Sequence, residues 1–110
     1  MTVDVGAQMR KGVVEYCVLG LLAREPMYGW QLADRLISAG MIGGIGTLYP
    51  LLARLRDNGW VLAFEQVSEA GPVRKYYRLT DAGTTQLAQF RTQWTPFARV
   101  VTGLVNEETK

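Results

Sequence analysis

Residues 45–59, IGTLYPLLARLRDNG, restrict the fold more than any other stretch of this chain. Leu48, Leu52 and Leu55 recur at i, i+4 and i+7, on one face of a 3.6-residue period. Leu51 widens that stripe and Ile45 extends it backwards, so the spacing predicts a helix over 45–58 that Gly59 ends. The opposite face carries Gly46, Thr47, Pro50, Ala53 and Arg54, with Asp57 at the far end. These side chains are small for an outer face. A helix that lies deep in a DNA major groove needs that smallness, plus a few donors for phosphates and base edges. Most amphipathic helices bury one face and only wet the other, so the reading depends on the flanking segments.

Upstream, residues 8–24 predict a first helix. Val13, Val14, Tyr16, Cys17, Val18, Leu19, Leu21 and Leu22 leave it few polar positions, and a second subunit is one way to cover so apolar a helix. Pro26 stops it, because the residue before a proline avoids helical angles. Residues 1–7 read as a flexible tail. Arg10 and Lys11 follow it; at a helix start they oppose the dipole unless they meet an anion such as a phosphate. Residues 28–40 predict a second helix. Ala33, Leu36 and Ile37 face the core, flanked by Leu32 and Trp30, while Tyr28, Gln31, Asp34, Arg35 and Ser38 face out. A short glycine-rich turn then leads to the third helix, a spacing compatible with helix-turn-helix. Two starts are open for that third helix. With Thr47 as cap, Pro50 falls in the first turn, where its missing N–H costs little; with Gly44 as cap, Pro50 removes a hydrogen bond.

Downstream, residues 61–69 and 73–79 have strand composition, separated by the turn signal Glu69-Ala70-Gly71-Pro72. They predict a hairpin, or wing, with Arg74 and Lys75 near its tip as candidate phosphate contacts. Residues 81–106 predict a long last helix, capped by Thr80 and favoured by Asp81 at its positive end, although Gly83 breaks the capping-box pattern. Leu87, Phe90, Trp94, Phe97, Val101 and Leu104 alternate spacings of three and four, an a/d seam. A second copy of the chain on a two-fold axis is the simplest cover for it. Pro96 inside the seam should kink or split the helix.

The whole therefore reads as mostly α with a small β-hairpin: a winged helix-turn-helix over 8–80 and a C-terminal dimerisation helix over 81–106. At 110 residues and 48% apolar content it is one globular domain. Net charge of +2 neither demands nor excludes a nucleic-acid partner, so the placement of charge decides. The single cysteine, Cys17, has no partner within the chain and sits among apolar residues, which fits a buried thiol in a reducing cytoplasm. No histidine is present, which removes the commonest general base and metal ligand together. No nucleophile–base pair, metal set or cofactor motif is found, and no stretch reaches the roughly 18 apolar residues of a membrane span. An enzyme is the least favoured class.

Three motifs in order carry a family resemblance. Gly46-Thr47-Leu48-Tyr49-Pro50 with the following LLARLRDNG resembles the recognition-helix signature of PadR-type transcriptional regulators. Met27-Tyr28-Gly29-Trp30-Gln31-Leu32 resembles that family's second-helix opening. Arg74-Lys75-Tyr76-Tyr77-Arg78-Leu79-Thr80, then Asp81-Ala82-Gly83, is similar to its wing strand and the start of its last helix. The short C-terminal part looks like the compact branch with one dimerising helix. The resemblance implies a dimeric winged-helix repressor on a pseudo-palindromic operator, released by a small molecule, with flat aromatic compounds bound between the dimer's helices beside a tryptophan like Trp94. The sequence departs from the family pattern at Gly43-Gly44, where a polar cap is common, at Arg56, where glutamate is frequent, and at the acidic wing tip.

The candidate DNA-binding residues are thus Tyr28, Gln31, Gly46, Thr47, Tyr49, Pro50, Arg54, Arg74 and Lys75, with Tyr49 at the edge of the packed face. Trp94 and Phe97, with Cys17 and Leu21, are candidates for a planar aromatic effector; filling of a dimer core by Trp94 is the alternative. A winged domain used only for protein–protein contact is the competing reading, since fold does not fix function.

Overall fold

The computed structural model describes residues 4–67, 69 and 71–106. Its elements in chain order are α1 (Val5–Arg10), α2 (Val14–Leu22), β1 (Met27–Tyr28), α3 (Gly29–Ser38), α4 (Ile45–Asp57), β2 (Val61–Val67), β3 (Val73–Leu79) and α5 (Asp81–Asn106). Three antiparallel strands lie in the order β1-β3-β2. The expected architecture, mostly helical with a small sheet and a long last helix, is present, but the sheet has a third strand. Tyr28 is both the N-cap of α3 and a strand residue: Met27 pairs with Tyr77 and Tyr28 with Tyr76. A two-residue strand has no periodicity of its own, and its pairing partner lies some fifty positions away.

The segment over 8–24 is two helices, not one. Asp4 accepts the Ala7 amide at 3.0 Å and starts α1, which therefore begins inside the expected tail. Residues 1–3 of that tail lie outside the described residues. Gly12, at φ 78°, breaks the chain direction before α2, a backbone angle that side-chain-bearing residues rarely adopt.

The core gathers Val18, Leu19 and Leu22 of α2, Leu32, Ala33 and Leu36 of α3, and Leu48, Leu51, Leu52 and Leu55 of α4. Met27, Val61, Tyr77 and Leu87 close it. The leucine stripe of α4 is buried as its period requires. Two residues assigned to the core side of α3 are not: Trp30 and Ile37 are exposed. They stand seven apart on one flank, rotated out of the buried face by about one residue's turn.

Helix α4 begins at Ile45 with Gly44 in the cap position and no side-chain cap. Pro50 therefore lies in the second turn, and the Gly46 carbonyl loses its usual amide donor. Pro96 does not split α5, which continues as helix to Asn106. Thr80 joins the two halves of the molecule. Its hydroxyl donates to the Gly59 carbonyl at 2.6 Å and accepts the Gly83 amide at 3.0 Å. Gly83 is required there, since a Cβ would run into the Trp60 carbonyl and the Leu79 side chain. The capping box is broken because packing leaves no room for its acidic member. Strand β2 is Val61–Val67, and Glu69, the last residue of the expected strand, lies in a turn; Ser68 and Ala70 lie outside the described residues.

Candidate nucleic-acid interface

Three elements meet beside the exposed side of α4. The stripe Leu48, Leu51, Leu52 and Leu55 is turned inward, so Gly46, Thr47, Pro50 and Arg54 are exposed on the other face. The Thr47 amide bonds to the Gly44 carbonyl at 3.2 Å, a tight first turn, and the Thr47 side chain stands at the surface. Tyr49 is 47% exposed. Its ring lies over Gly29, where a Cβ would sit 2.9 Å from the tyrosine hydroxyl. Glycine at the start of α3 leaves room for the tyrosine ring here.

Tyr28 and Gln31 do different work from one another. Gln31 Oε1 accepts the Tyr28 amide at 3.0 Å, capping α3. Tyr28 belongs to the sheet: its ring meets Tyr76 edge-on at 5.4 Å and carries the Arg74 guanidinium at 4.4 Å. That cation–π contact fixes the arginine over the strand instead of leaving it to solvent. Lys75, the next residue, is exposed. A cleft of about 350 Å³ results, lined by Tyr28, Gly29, Trp30, Tyr49, Arg74, Lys75 and Tyr77. Burial pushes the Tyr77 hydroxyl above its ordinary range, and the nearby Arg56 charge partly offsets this, so the phenol stays neutral.

Four of the nine expected contacts, Tyr28, Tyr49, Arg74 and Lys75, therefore meet around this cleft, and Gln31 caps α3 beside it. Gly46, Thr47 and Pro50 lie along the adjoining surface of α4. Arg54 stands apart, because its Nε donates to Glu15 of α2 at 3.0 Å. Trp30 was not among the expected contacts, yet it lines the cleft and is 65% exposed. Its place on the same flank as Ile37 was the available signal, hidden by the assumption that tryptophan goes inside.

The four candidate effector residues do not converge. Trp94 and Phe97 line a cleft of about 340 Å³ with Lys11, Gly12, Val13, Phe90 and Gln93. Cys17 and Leu21 line a different cavity of about 520 Å³, between α2, α3 and α5. The α2 residue that meets the aromatic row is Tyr16. It stacks on Phe90 at 4.3 Å, Phe90 on Trp94 at 5.5 Å, and its hydroxyl accepts from Gln86 at 2.9 Å. Cys17, one position on, is rotated by about 100° away from that row.

The seam of α5 also divides. Leu87 is 4% exposed and belongs to the chain's own core, and Phe90 is half-buried and stacks on Tyr16. Trp94, Phe97, Val101 and Leu104 remain exposed, Leu104 at 78%. Among the described residues no helix is long and apolar enough to cross a membrane, and no cluster fit to hold a metal ion occurs.

A winged helix with a long trailing helix and a basic-aromatic cleft beside α4 defines a transcription-regulator architecture. Residues 18–89 match the model of the Transcriptional regulator PadR-like family, and the chain belongs to that family. It is 31% identical over 96 residues to the Transcriptional regulator Rv3488 of Mycobacterium tuberculosis, covering 87% of this chain and 89% of the other. The crystal structure of a PadR-like transcriptional regulator from Bacillus cereus superposes with a TM-score of 0.82 at 36% identity, over 92% of this chain and 99% of that one. Bacillus subtilis PadR, solved in complex with operator DNA, gives a TM-score of 0.62 at 26% identity, covering 71% of this chain and 46% of that one.

Proposed function

We propose that this regulator binds double-stranded DNA through the outer face of α4 and the cleft between Trp30, Tyr49, Arg74 and Lys75. The observation that carries the reading is this juxtaposition: a helix face of small residues beside a strand bearing two cations. Thr47 and the backbone around Gly46 approach the major groove, while Lys75 neutralises a phosphate. Arg74, held over Tyr28, adds positive charge to the cleft. The Bacillus subtilis relative with operator DNA supports it by analogy. The direct test is binding to a duplex selected from a random pool, at several salt concentrations. A specific complex weakens steeply as salt rises, and Lys75→Ala lowers the slope of log K against log salt by about one if one phosphate contact is lost. No selected sequence at all would overturn the reading.

The same reading makes the protein a homodimer on a pseudo-palindromic site, joined through the exposed half of α5, Trp94 to Leu104. Repression follows from occupancy of the operator, and release from a planar aromatic molecule at the Trp94–Phe97 cleft. The row of rings from Tyr16 to Phe97 favours such a ligand, since a flat aromatic adds one more member to a stack. Titration of Trp94 fluorescence with a panel of planar aromatics tests it; no quenching or shift across the panel removes the effector from the proposal.

A further inference from the structure

Helix α1 lies outside the region matched to the family, which begins at residue 18, and none of its residues is buried. The core therefore does not explain it. It is nonetheless built deliberately, with an Asp4 cap at one end and a positive-φ glycine just past the other. Its exit carries two consecutive cations, Arg10 and Lys11. Arg10 lies back along its own helix over Gly6, and among the described residues neither cation forms an ion pair. Gly12 sends the chain into α2 at an angle, so α1 does not continue the line of α2.

Where α1 comes to rest is the informative point. Ala7, Arg10 and Lys11 line a cleft of about 240 Å³ together with Val14, Met41, Ile42, Gly43 and Thr47. Gly43 and Thr47 flank the start of α4, whose first turn has no side-chain cap. The two cations thus stand beside the end of the helix that the DNA reading places in the groove, on another element from the wing cations Arg74 and Lys75. We propose that α1 is a third DNA-contacting element, its Arg10 and Lys11 seated on the backbone phosphates that border the bases approached by Thr47. Charge complementarity selects this occupant: two unpaired cations next to a helix that approaches a polyanion. The contact carries no base information, so it adds affinity and register without altering preference.

The inference rests on the proposed DNA binding, and the test separates the two. The full chain and its Arg10→Gln/Lys11→Gln variant are titrated with a duplex recovered from a random pool and with an unrelated duplex of equal length, across a salt series. The expected result is weaker binding of both duplexes, an unchanged ratio between them, and a salt slope reduced by about two for each bound protomer. Both side chains are at or near the surface, and an unchanged thermal melt confirms that the variant folds. An unchanged slope overturns the α1 contact while leaving the wing and α4 reading intact. A changed ratio with the same slope also overturns it, since the residues then read bases. A change in self-association with the slope unchanged assigns α1 to contact between copies and overturns it too. Failure of the unaltered chain to bind either duplex overturns the DNA reading itself, and this inference with it.

Discussion

Arg54 of α4 donates its Nε–H to Glu15 of α2 at 3.0 Å, which ties the exposed face of α4 to its neighbour. Glu15 is the less exposed partner, so the arginine is drawn toward α2. An exposed pair of this kind stabilises by about 0–1 kcal/mol, and its main consequence is to occupy a cation that DNA would otherwise recruit. Glu15→Gln should leave the melting temperature nearly unchanged and steepen the salt slope of DNA binding by about one per protomer, as Arg54 is released to a phosphate. Arg54→Ala in the unaltered background should leave the slope where it is. A drop in slope with Arg54→Ala would show that the ion pair opens on the operator.

Gly83→Ala sets helix propensity against packing. Alanine is favoured over glycine inside a helix by about 1 kcal/mol. Here the added methyl meets the Trp60 carbonyl, which is backbone and cannot swing aside. Overlap of this kind costs about 1–3 kcal/mol, so the variant should melt earlier in spite of its better helix former. Thr80→Ala should also destabilise, by about 1 kcal/mol, through loss of the α5 cap. The two residues share one junction, so their effects should not add. Thermal melts of the single and double variants check both statements.

Burial raises the Cys17 thiol above its ordinary range. The reactive form is the thiolate, so alkylation at neutral pH should run slower than for a free small thiol and rise about tenfold per pH unit until the raised value is passed. The linkage has a definite sign. The unfolded chain releases this proton first, so stability declines as pH climbs from the free-thiol value toward the folded one. Iodoacetamide labelling rates across an alkaline series, followed by mass, measure the position of the curve.

What the sequence discloses about this molecule is its periodicity; what it conceals is rotation and pairing. Leu48, Leu52 and Leu55 announce α4 because three apolar residues share one phase. The order of helices, wing and last helix follows from such signals and from Pro26, Gly40 and Gly59. Gly12 is silent, since nothing about a glycine between Lys11 and Val13 says that its φ is positive. Met27 and Tyr28 become a strand only because Tyr76 and Tyr77 come alongside, a contact that no local window contains. The candidate site suffers from the same limit. Tyr16 and Cys17 differ by one position, and that one position decides which of two cavities a side chain lines. The period of α4 places Arg54 on the outer face, and nothing local shows that Glu15, 39 residues earlier, stands opposite it.

The division of the α5 seam yields the sharpest contrast between two leucines of one pattern. Leu87 is buried in the protomer core, and Leu104 is largely exposed with no cover from its own chain. Removing the first leaves a cavity, which costs about 2–5 kcal/mol for a leucine-to-alanine change. Leu87→Ala should therefore lower the melting temperature at any protein concentration. Leu104→Asp should leave the protomer's secondary structure intact and act only where copies meet, because a carboxylate there loses nothing within one chain and is desolvated against another. Sedimentation across a concentration series should show that variant shifted toward monomer, and its melt should become less dependent on concentration than that of the unaltered chain. Should Leu104→Asp sediment as the unaltered chain does, the proposed contact between copies through the exposed half of α5 is overturned.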